Sequence, residues 1–242
     1  MPELLPMIKT DNLTKRFGHF TAVNKLNLDI ASGEIFGFLG ANGAGKTTAI
    51  KMLCGLLKPT SGKAIVADCD ISTQSELLKQ RIGYMSQRFA LYEDLTVLEN
   101  VLFYSGIYGV KKAKALSIAE TMLSELGINI SDKSLTGSLP LGFKQRLALT
   151  CSLLHEPRLL FLDEPTSGVD PQARRAFWNV INTLAETGKT IIVTTHFMDE
   201  AEYCHRVLIM QNGDAIAIGK PSELKTQYQV PNMQALFLKL VS

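Results

Sequence analysis

The chain has 242 residues, 46% of them hydrophobic, enough to bury a sizeable core as one large or two small domains. Its 25 basic and 23 acidic residues leave a formal net charge of +2. That balance lacks the strong basic excess of a nucleic-acid-binding protein, so no nucleic-acid partner is expected. Cys54, Cys69, Cys151 and Cys204 lie far apart with no short paired spacing. They read as single small hydrophobes in a reducing compartment, which excludes a disulfide framework or a zinc site.

The first residues, MPELLPMIKT, carry two prolines and no basic stretch ahead of an apolar one, so no signal peptide is expected. No apolar run approaches the roughly 18 residues that a membrane span needs. Residues Ile8 to Ile30 alternate apolar and polar side chains between turn residues, a strand-like pattern. EIFGFLG then reads as a short apolar strand, and ANGAGKTTAIKMLCGLL as a glycine loop running into a helix. Further buried strands are expected at AIVAD, RIGYM, LLFLD and TIIVTT, with helical patterns between most of them. Strands alternating with helices argue for an α/β fold with a mostly parallel sheet. Thr96 to Leu154 is long, helical in pattern and without a convincing strand, and is expected to be a helical insertion. VLIMQNGDAIAIG reads as a hairpin turning at Asn212-Gly213. Finally, PNMQALFLKLVS places Met233, Leu236, Phe237, Leu240 and Val241 on one helical face. Docking on the body is favoured for it over a membrane-surface helix.

The sharpest chemical signal is GANGAGKT, Gly40 to Thr47: two glycines five apart, then Lys and Thr, between a strand and a helix. Gly40, Gly43 and Gly45 allow successive backbone N–H groups to turn inward around phosphate oxygens. Lys46 would hold the β- and γ-phosphates, and Thr47 would place its hydroxyl on Mg²⁺. A merely structural turn does not explain the lysine. LLFLDEP ends a buried strand in Asp163 and Glu164. Asp163 suits a second magnesium contact, and Glu164 is placed to orient or deprotonate an attacking water. His196 follows TIIVTT and Gln87 follows IGYMS, at the carboxyl ends of strands where ligands of such sheets gather. Taken alone, either residue is more often an ordinary capping or surface polar group.

Taken together, these residues resemble the ATP-binding subunit of an ATP-binding cassette (ABC) transporter, across about Ile8 to Leu240. GANGAGKTT is similar to the family's Walker A, LLFLDE to its Walker B, and MSQ with Gln87 to its Q-loop. SGVD with Asp170 is similar to the D-loop, and TTH with His196 to the switch histidine. The resemblance implies one ABC domain over 8–240. Its fold would be a P-loop NTPase (RecA-like) α/β core with an N-terminal antiparallel β subdomain. An inserted α-helical subdomain would span about 88–155, and a C-terminal helical extension about 221–242. It also implies ATP and Mg²⁺ as cofactors, with Thr47, Gln87 and Asp163 toward the metal. Lys46, Gln87, Glu164 and His196 would carry hydrolysis. Gly40, Ala41, Asn42, Gly43, Ala44, Gly45, Lys46, Thr47 and Thr48 would hold the nucleotide, with Phe17 stacked on adenine where the family more often has Tyr.

In the family two cassettes meet head to tail, so each signature motif, usually LSGGxxQR, serves the partner's nucleotide. Here that stretch reads Leu139-Pro140-Leu141-Gly142-Phe143-Lys144-Gln145-Arg146. Pro140 suits the first turn of a helix. Leu139, Pro140, Leu141, Gly142 and Gln145 would face the partner's nucleotide. Pro140 removes the Ser hydroxyl and its own N–H, whereas the Leu141 and Gly142 amides and the helix dipole remain. The resemblance therefore implies a weakened site on the partner's nucleotide and an intact catalytic half on this chain, in a homodimer or a heterodimer.

DEPTSGVDP, TTHFMDEAEYC and FLKL most resemble cassettes of ABC-2 type exporters. That implies a translocase ATPase serving separate integral membrane permease subunits from the cytoplasmic face of the plasma (inner) membrane. Phe89, Leu91, Tyr92 and Leu95 would supply apolar contacts to a permease helix, or equally ordinary subdomain packing. KKAKA reads as a solvated face. The competing class is a soluble ABC-type ATPase without transport, or a weakly hydrolysing nucleotide switch.

Overall fold

A computed structural model of the chain describes residues 6–87, 90–125 and 127–241. β1 (Ile8–Phe17) and β2 (Phe20–Ile30) run antiparallel, paired from Ile8 opposite Ile30 to Phe17 opposite Phe20 with register shifts between Thr10 and Arg16. β4 (Ser61–Val66) pairs antiparallel with β1, and β5 (Cys69–Asp70) with β4, giving a four-stranded sheet in the order β2-β1-β4-β5. AIVAD therefore lies in the antiparallel sheet and not among the buried parallel strands, and its last two residues form a turn. The side chains give the reason: Ala64 and Val66 are buried while Ile65 between them is exposed. That period-two alternation belongs to a sheet wetted on one face.

The second sheet has six strands in the order β10-β9-β3-β8-β7-β6. β3 (Ile35–Leu39), β6 (Ile82–Met85), β7 (Leu159–Asp163), β8 (Thr190–Thr195) and β9 (Arg206–Gln211) are parallel. β10 (Asp214–Gly219) returns antiparallel on the edge through the expected turn, with Asn212 and Gly213 both left-handed at φ 51° and 86°. β3, β7 and β8 are buried along their whole lengths, so they read as continuous apolar runs. Successive side chains nevertheless point to opposite faces and divide the core in two. Phe36, Phe38, Phe161 and Ile192 pack toward α1 (Lys46–Leu53) and the antiparallel sheet. Ile35, Leu39, Leu160, Leu162 and Val193 pack toward Phe177, Trp178 and Ile181 of α6 (Pro171–Glu186). α2 (Ser75–Arg81) leads into β6.

Between β6 and β7 lie α3 (Val97–Ile107), α4 (Lys112–Glu125) and α5 (Leu141–Leu153). A full capping box starts α3: Thr96 Oγ1 accepts the Glu99 N–H, and the Glu99 carboxylate accepts the Thr96 N–H. Val101, Ala119, Leu123, Leu147 and Cys151 form a core of their own among these helices. Other α5 residues, Ala148, Leu149 and Leu153, pack against the main sheet, so α5 is buried on two faces and joins the two bodies.

After β10, α7 (Pro221–Gln227) and α8 (Met233–Val241) fold back. α8 buries Met233 and Leu236 in the main core with Phe237 and Leu240 packed beside them, the docked helix favoured from its pattern. All four cysteines are buried and unpaired. Among the described residues, no helix is long and apolar enough to cross a membrane.

Candidate active site

The neighbouring parallel strands β3, β8, β7 and β6 end on one edge of the sheet, where they deliver Gly40, His196, Asp163-Glu164 and Gln87. The loop after β3 passes into α1 at Gly45, left-handed at φ 107°. A Cβ there would stand 2.3 Å from the Ala22 carbonyl oxygen, so glycine is what allows the loop to dock on β2. Gly43, at φ 83°, has open space above it, and its backbone conformation alone calls for glycine. The first helical bond of α1 runs from Ala49 N–H to Gly45 O, leaving the preceding amides of the first turn outside the helical ladder. Asn42, Gly43, Gly45, Lys46, Thr47 and Thr48 line a cavity of about 370 Å³, the size of a small-molecule site. Ala41 and Ala44 are bonded by their backbones, Ala44 N–H to Ala41 O, and bound the loop from outside that cavity.

Lys46 is buried, and its ammonium donates to the carbonyls of Gly40 (2.8 Å) and Ala41 (3.1 Å). It lies 3.5 Å from Glu164 Oε1. Burial pulls the Lys46 pKa below its ordinary value, opposed by the charges of Glu164 and Asp163. Asp163 is pushed the other way: burial raises its pKa, and hydrogen bonds from Thr194 and Thr47 offset part of the rise. Those bonds are 2.7 Å from Thr194 Oγ1 and 3.1 Å from Thr47 Oγ1, both to Asp163 Oδ1.

Glu164, equally buried, collects the remaining groups. Its Oε2 accepts a 3.0 Å hydrogen bond from Gln87 Nε2 and stands 3.2 Å from His196 Nδ1, off line for a hydrogen bond. Its backbone is left-handed at φ 47°, a conformation that costs a non-glycine residue about 1–2 kcal/mol. The Glu164 N–H donates to Thr194 Oγ1 at 2.8 Å, which helps hold that conformation. The structure thus brings Lys46, Thr47, Gln87, Asp163, Glu164 and His196 into one cluster.

The sequence profile of the ABC transporter family matches residues 23–167. The chain belongs to the ABC transporter family. It is 50% identical over 240 residues, 97% of its length, to the probable multidrug ABC transporter ATP-binding protein YbhF of Escherichia coli (strain K12). The cassette spans only 42% of that relative's length. With the linearmycin resistance ATP-binding protein LnrL of Bacillus subtilis (strain 168) it shares 38% identity over 219 residues, 90% of this chain and 70% of that one. With the Nod factor export ATP-binding protein I of Paraburkholderia xenovorans (strain LB400) it shares 38% over 225 residues, 93% and 73% of the two chains. The cassette superposes on the solved ATP-binding subunit of an ABC transporter with a TM-score of 0.88 at 26% identity, covering 98% of this chain and 100% of that one. A dimeric ATP-binding cassette in a post-hydrolysis state with ADP and Pi matches at a TM-score of 0.77 and 27% identity, covering 88% and 98%.

The signature segment lies apart from that cluster. Pro140 does not sit inside the first turn of α5 but caps it, with extended ψ of 149°, and Leu141 opens the helix. The physical reason is that the first helical bonds run from the Phe143 and Lys144 N–H groups to the Pro140 carbonyl, the task of an N-cap. Pro140 and Leu141 are exposed, Gly142 is partly so, and Leu139 packs against the helical core. Gln145 departs from its expected place toward the partner. It is wholly buried, and its Nε2 donates to the Pro165 carbonyl at 2.8 Å, because the inward face of α5 carries it against the turn after β7. The D-loop residue Asp170 caps α6, its Oδ1 accepting the N–H groups of Gln172 and Ala173.

Phe17 lines the same cavity as the glycine loop and is half exposed. The sequence reading missed Phe20, its cross-strand partner, which lines the same cavity and is 59% exposed. Its position across the Gly18-His19 turn from Phe17 was the available signal. Thr194 was also missed, although it alternates with His196 at the end of TIIVTTH. Leu91, Tyr92 and Leu95 lie ahead of α3, with Tyr92 exposed and edge-on to Phe103; Phe89 lies outside the described residues.

Proposed function

We propose that this cassette binds and hydrolyses ATP to energise an ABC-2 type export transporter, working as a head-to-tail dimer on a separate membrane permease. The observation that carries this reading is the convergence of Lys46, Gln87 and His196 on the Glu164 carboxylate beside the glycine loop. The names of the similar proteins, which speak of multidrug transport, linearmycin resistance and Nod factor export, support export as the task.

The chain's residues then divide the work of phosphoryl transfer, which is mostly positioning and electrostatics. The loop amides and Lys46 bind and orient the phosphates. To reach them, Lys46 exchanges its bonds to the Gly40 and Ala41 carbonyls for phosphate oxygens. Glu164 orients or deprotonates the attacking water, with Gln87 hydrogen-bonded to its Oε2 and His196 standing beside it. Phe17 stacks on adenine. The oxygens of Thr47, Asp163 and the Gln87 side chain suit Mg²⁺, a hard cation that takes few protein ligands and leaves the rest to phosphate and water. Among the described residues, no group of three or more His, Cys, Asp or Glu could hold a metal by itself. Mg²⁺ there would neutralise charge on the phosphate oxygens.

The helical segment 88–155 would carry the permease contacts, and the assembly would sit on the cytoplasmic face of the membrane. The test is ATP hydrolysis by the wild type and by Glu164→Gln, with detergent extraction to identify the co-purifying protein. The variant is expected to lose nearly all turnover while keeping nucleotide, and a polytopic membrane protein is expected in the extract. Equal rates would sink the assignment of Glu164. Recovery of a soluble complex with no permease would replace the export reading by the non-transport one.

A further inference from the structure

Glu200 is wholly buried, an expensive place for a carboxylate unless it is paired. Its Oε1 accepts a 2.6 Å hydrogen bond from Thr166 Oγ1 and lies 3.6 Å from Arg174 Nε. Its Oε2 has no hydrogen-bond partner among the described residues. Every partner stands on a segment next to the catalytic cluster. Thr166 is two residues past Glu164 in the turn after β7, and Arg174 lies in the first turns of α6. Glu200 itself is in the short 3-10 turn Met198–Tyr203 that follows His196.

The contacts continue beyond the pair. The Arg174 guanidinium lies 4.0 Å from the ring centroid of Phe197, and the Phe197 and His196 rings are 4.1 Å apart. His196 Nδ1 then returns to Glu164 Oε2 at 3.2 Å. The chain of contacts is closed: Glu164 through its own turn to Thr166, then Glu200, Arg174, Phe197, His196 and back to Glu164.

We infer that Glu200 and Arg174 are positioning residues that set where the His196 ring stands relative to Glu164. The inference rests on the reading of this cluster as a hydrolytic site. The geometry has a physical logic. A carboxylate buried for packing alone is readily replaced by an apolar side chain, whereas this one ties together the loops that follow β7 and β8. Arg174 does two things at once, meeting the Glu200 charge with one edge of its guanidinium and covering Phe197 with its plane. A change at either residue therefore reaches His196 through one intervening ring, without either residue touching nucleotide.

The test uses the full chain with ¹³C-labelled histidine. There are four histidines, so the His196 imidazole signal is assigned by its loss in His196→Gln. Glu200→Gln keeps an acceptor for Thr166 and removes the buried one of the two charges facing Arg174, leaving the exposed Asp199 carboxylate at 4.0 Å. Arg174→Lys keeps a cation and removes the plane over Phe197. In both variants the His196 signal is expected to move while His19 and His155 stay in place. ATP turnover is expected to fall about tenfold in kcat with KM nearly unchanged, the scale of coupling through a contact network. A lowered melting midpoint without selective movement of His196 would mean a merely structural pair and would overturn the inference, as would an unmoved His196 signal in both folded variants. If wild type and Glu164→Gln prove equally inactive, the hydrolytic reading fails, and the His196 signal still decides whether this pair positions the ring.

Discussion

Thr194→Val keeps the shape of a wholly buried side chain and deletes one hydroxyl. That hydroxyl donates to Asp163 at 2.7 Å and accepts the Glu164 N–H at 2.8 Å. A hydrogen bond to a charged group contributes about 1.5–3 kcal/mol, and a buried N–H left unpaired costs about 1–3 kcal/mol. The added methyl returns roughly 1 kcal/mol of burial. The expected net loss is about 1.5–5 kcal/mol of folding stability at neutral pH, or a fall of about 3–20 °C in Tm for a domain of this size. The loss also has a pH dependence with a definite sign. Burial holds the Asp163 pKa above its ordinary value of 3.8, and removing a donor to the carboxylate raises it further. A carboxyl whose folded pKa is raised contributes stability that is full below its unfolded value and lost as pH rises through its folded value. The deficit of the variant is therefore smallest near pH 3.8 and grows to its full size above the folded pKa of Asp163 in the variant. Urea unfolding followed by circular dichroism at acidic and neutral pH measures both. A loss below about 0.5 kcal/mol at neutral pH, the range of an ordinary surface change, would refute the role given to Thr194, as would a loss that ignores pH.

Gly45→Ala is expected to abolish nucleotide binding, because its Cβ meets the Ala22 carbonyl oxygen at 2.3 Å and the backbone is left-handed; titration with a fluorescent ATP analogue reads this directly. In the same titration Phe17→Ala should weaken binding by about 0.5–1.5 kcal/mol, roughly two- to tenfold, whereas Phe17→Tyr should leave it unchanged. Phe20→Ala, losing the second ring of the pair, is expected to have a smaller effect than Phe17→Ala. Pro140→Ser is expected to restore a donor worth about 1.5–3 kcal/mol toward the partner's phosphate and to speed turnover of the homodimer. Unchanged steady-state hydrolysis by the Ser variant would show that the proline is no impediment.

What was legible in the sequence was whatever is contiguous along the chain. GANGAGKT and LLFLDE contain their own strand, loop and chemistry, so the glycine loop and the acidic pair were found where they stand. Thr194 was invisible because its role exists only through the pairing of β7 with β8, which sets Asp163 opposite Thr194. AIVAD was assigned to the wrong sheet because a six-residue strand carries its apolar alternation but not the identity of its neighbours. Gln145 was expected outward because the signature text continues through it. Only the packing of α5 between two bodies shows that the helix has turned inward by that residue. Glu200 and Arg174 lie 26 positions apart and show their relation only once the loops after β7 and β8 are side by side.

The altered signature is separated from the catalytic cluster by the way α5 is mounted. Its opening residues, Pro140 and Leu141, are exposed, and four residues farther on the helix is anchored beneath the Glu164 turn through Gln145 and the Pro165 carbonyl. A Cβ added at Gly142 would stand 3.4 Å from the Ala173 Cβ, in the first turn of the helix that Asp170 caps. The starts of α5 and α6 therefore lie side by side. In the proposed dimer this surface would face the partner's nucleotide, while Glu164, Gln87 and His196 would act on the chain's own. A proline and a leucine at the start of α5 change hydrogen bonds that this chain would offer outward, and they leave the bonds around Asp163 and Glu164 untouched. The Gln145 bond is the direct route between the halves, since it ends on the carbonyl of the residue that follows Glu164. Loss of a signature hydroxyl and preservation of the cluster around Glu164 are thus compatible within one fold, and in the proposed dimer the motif of the opposing cassette would decide how many sites work at full strength.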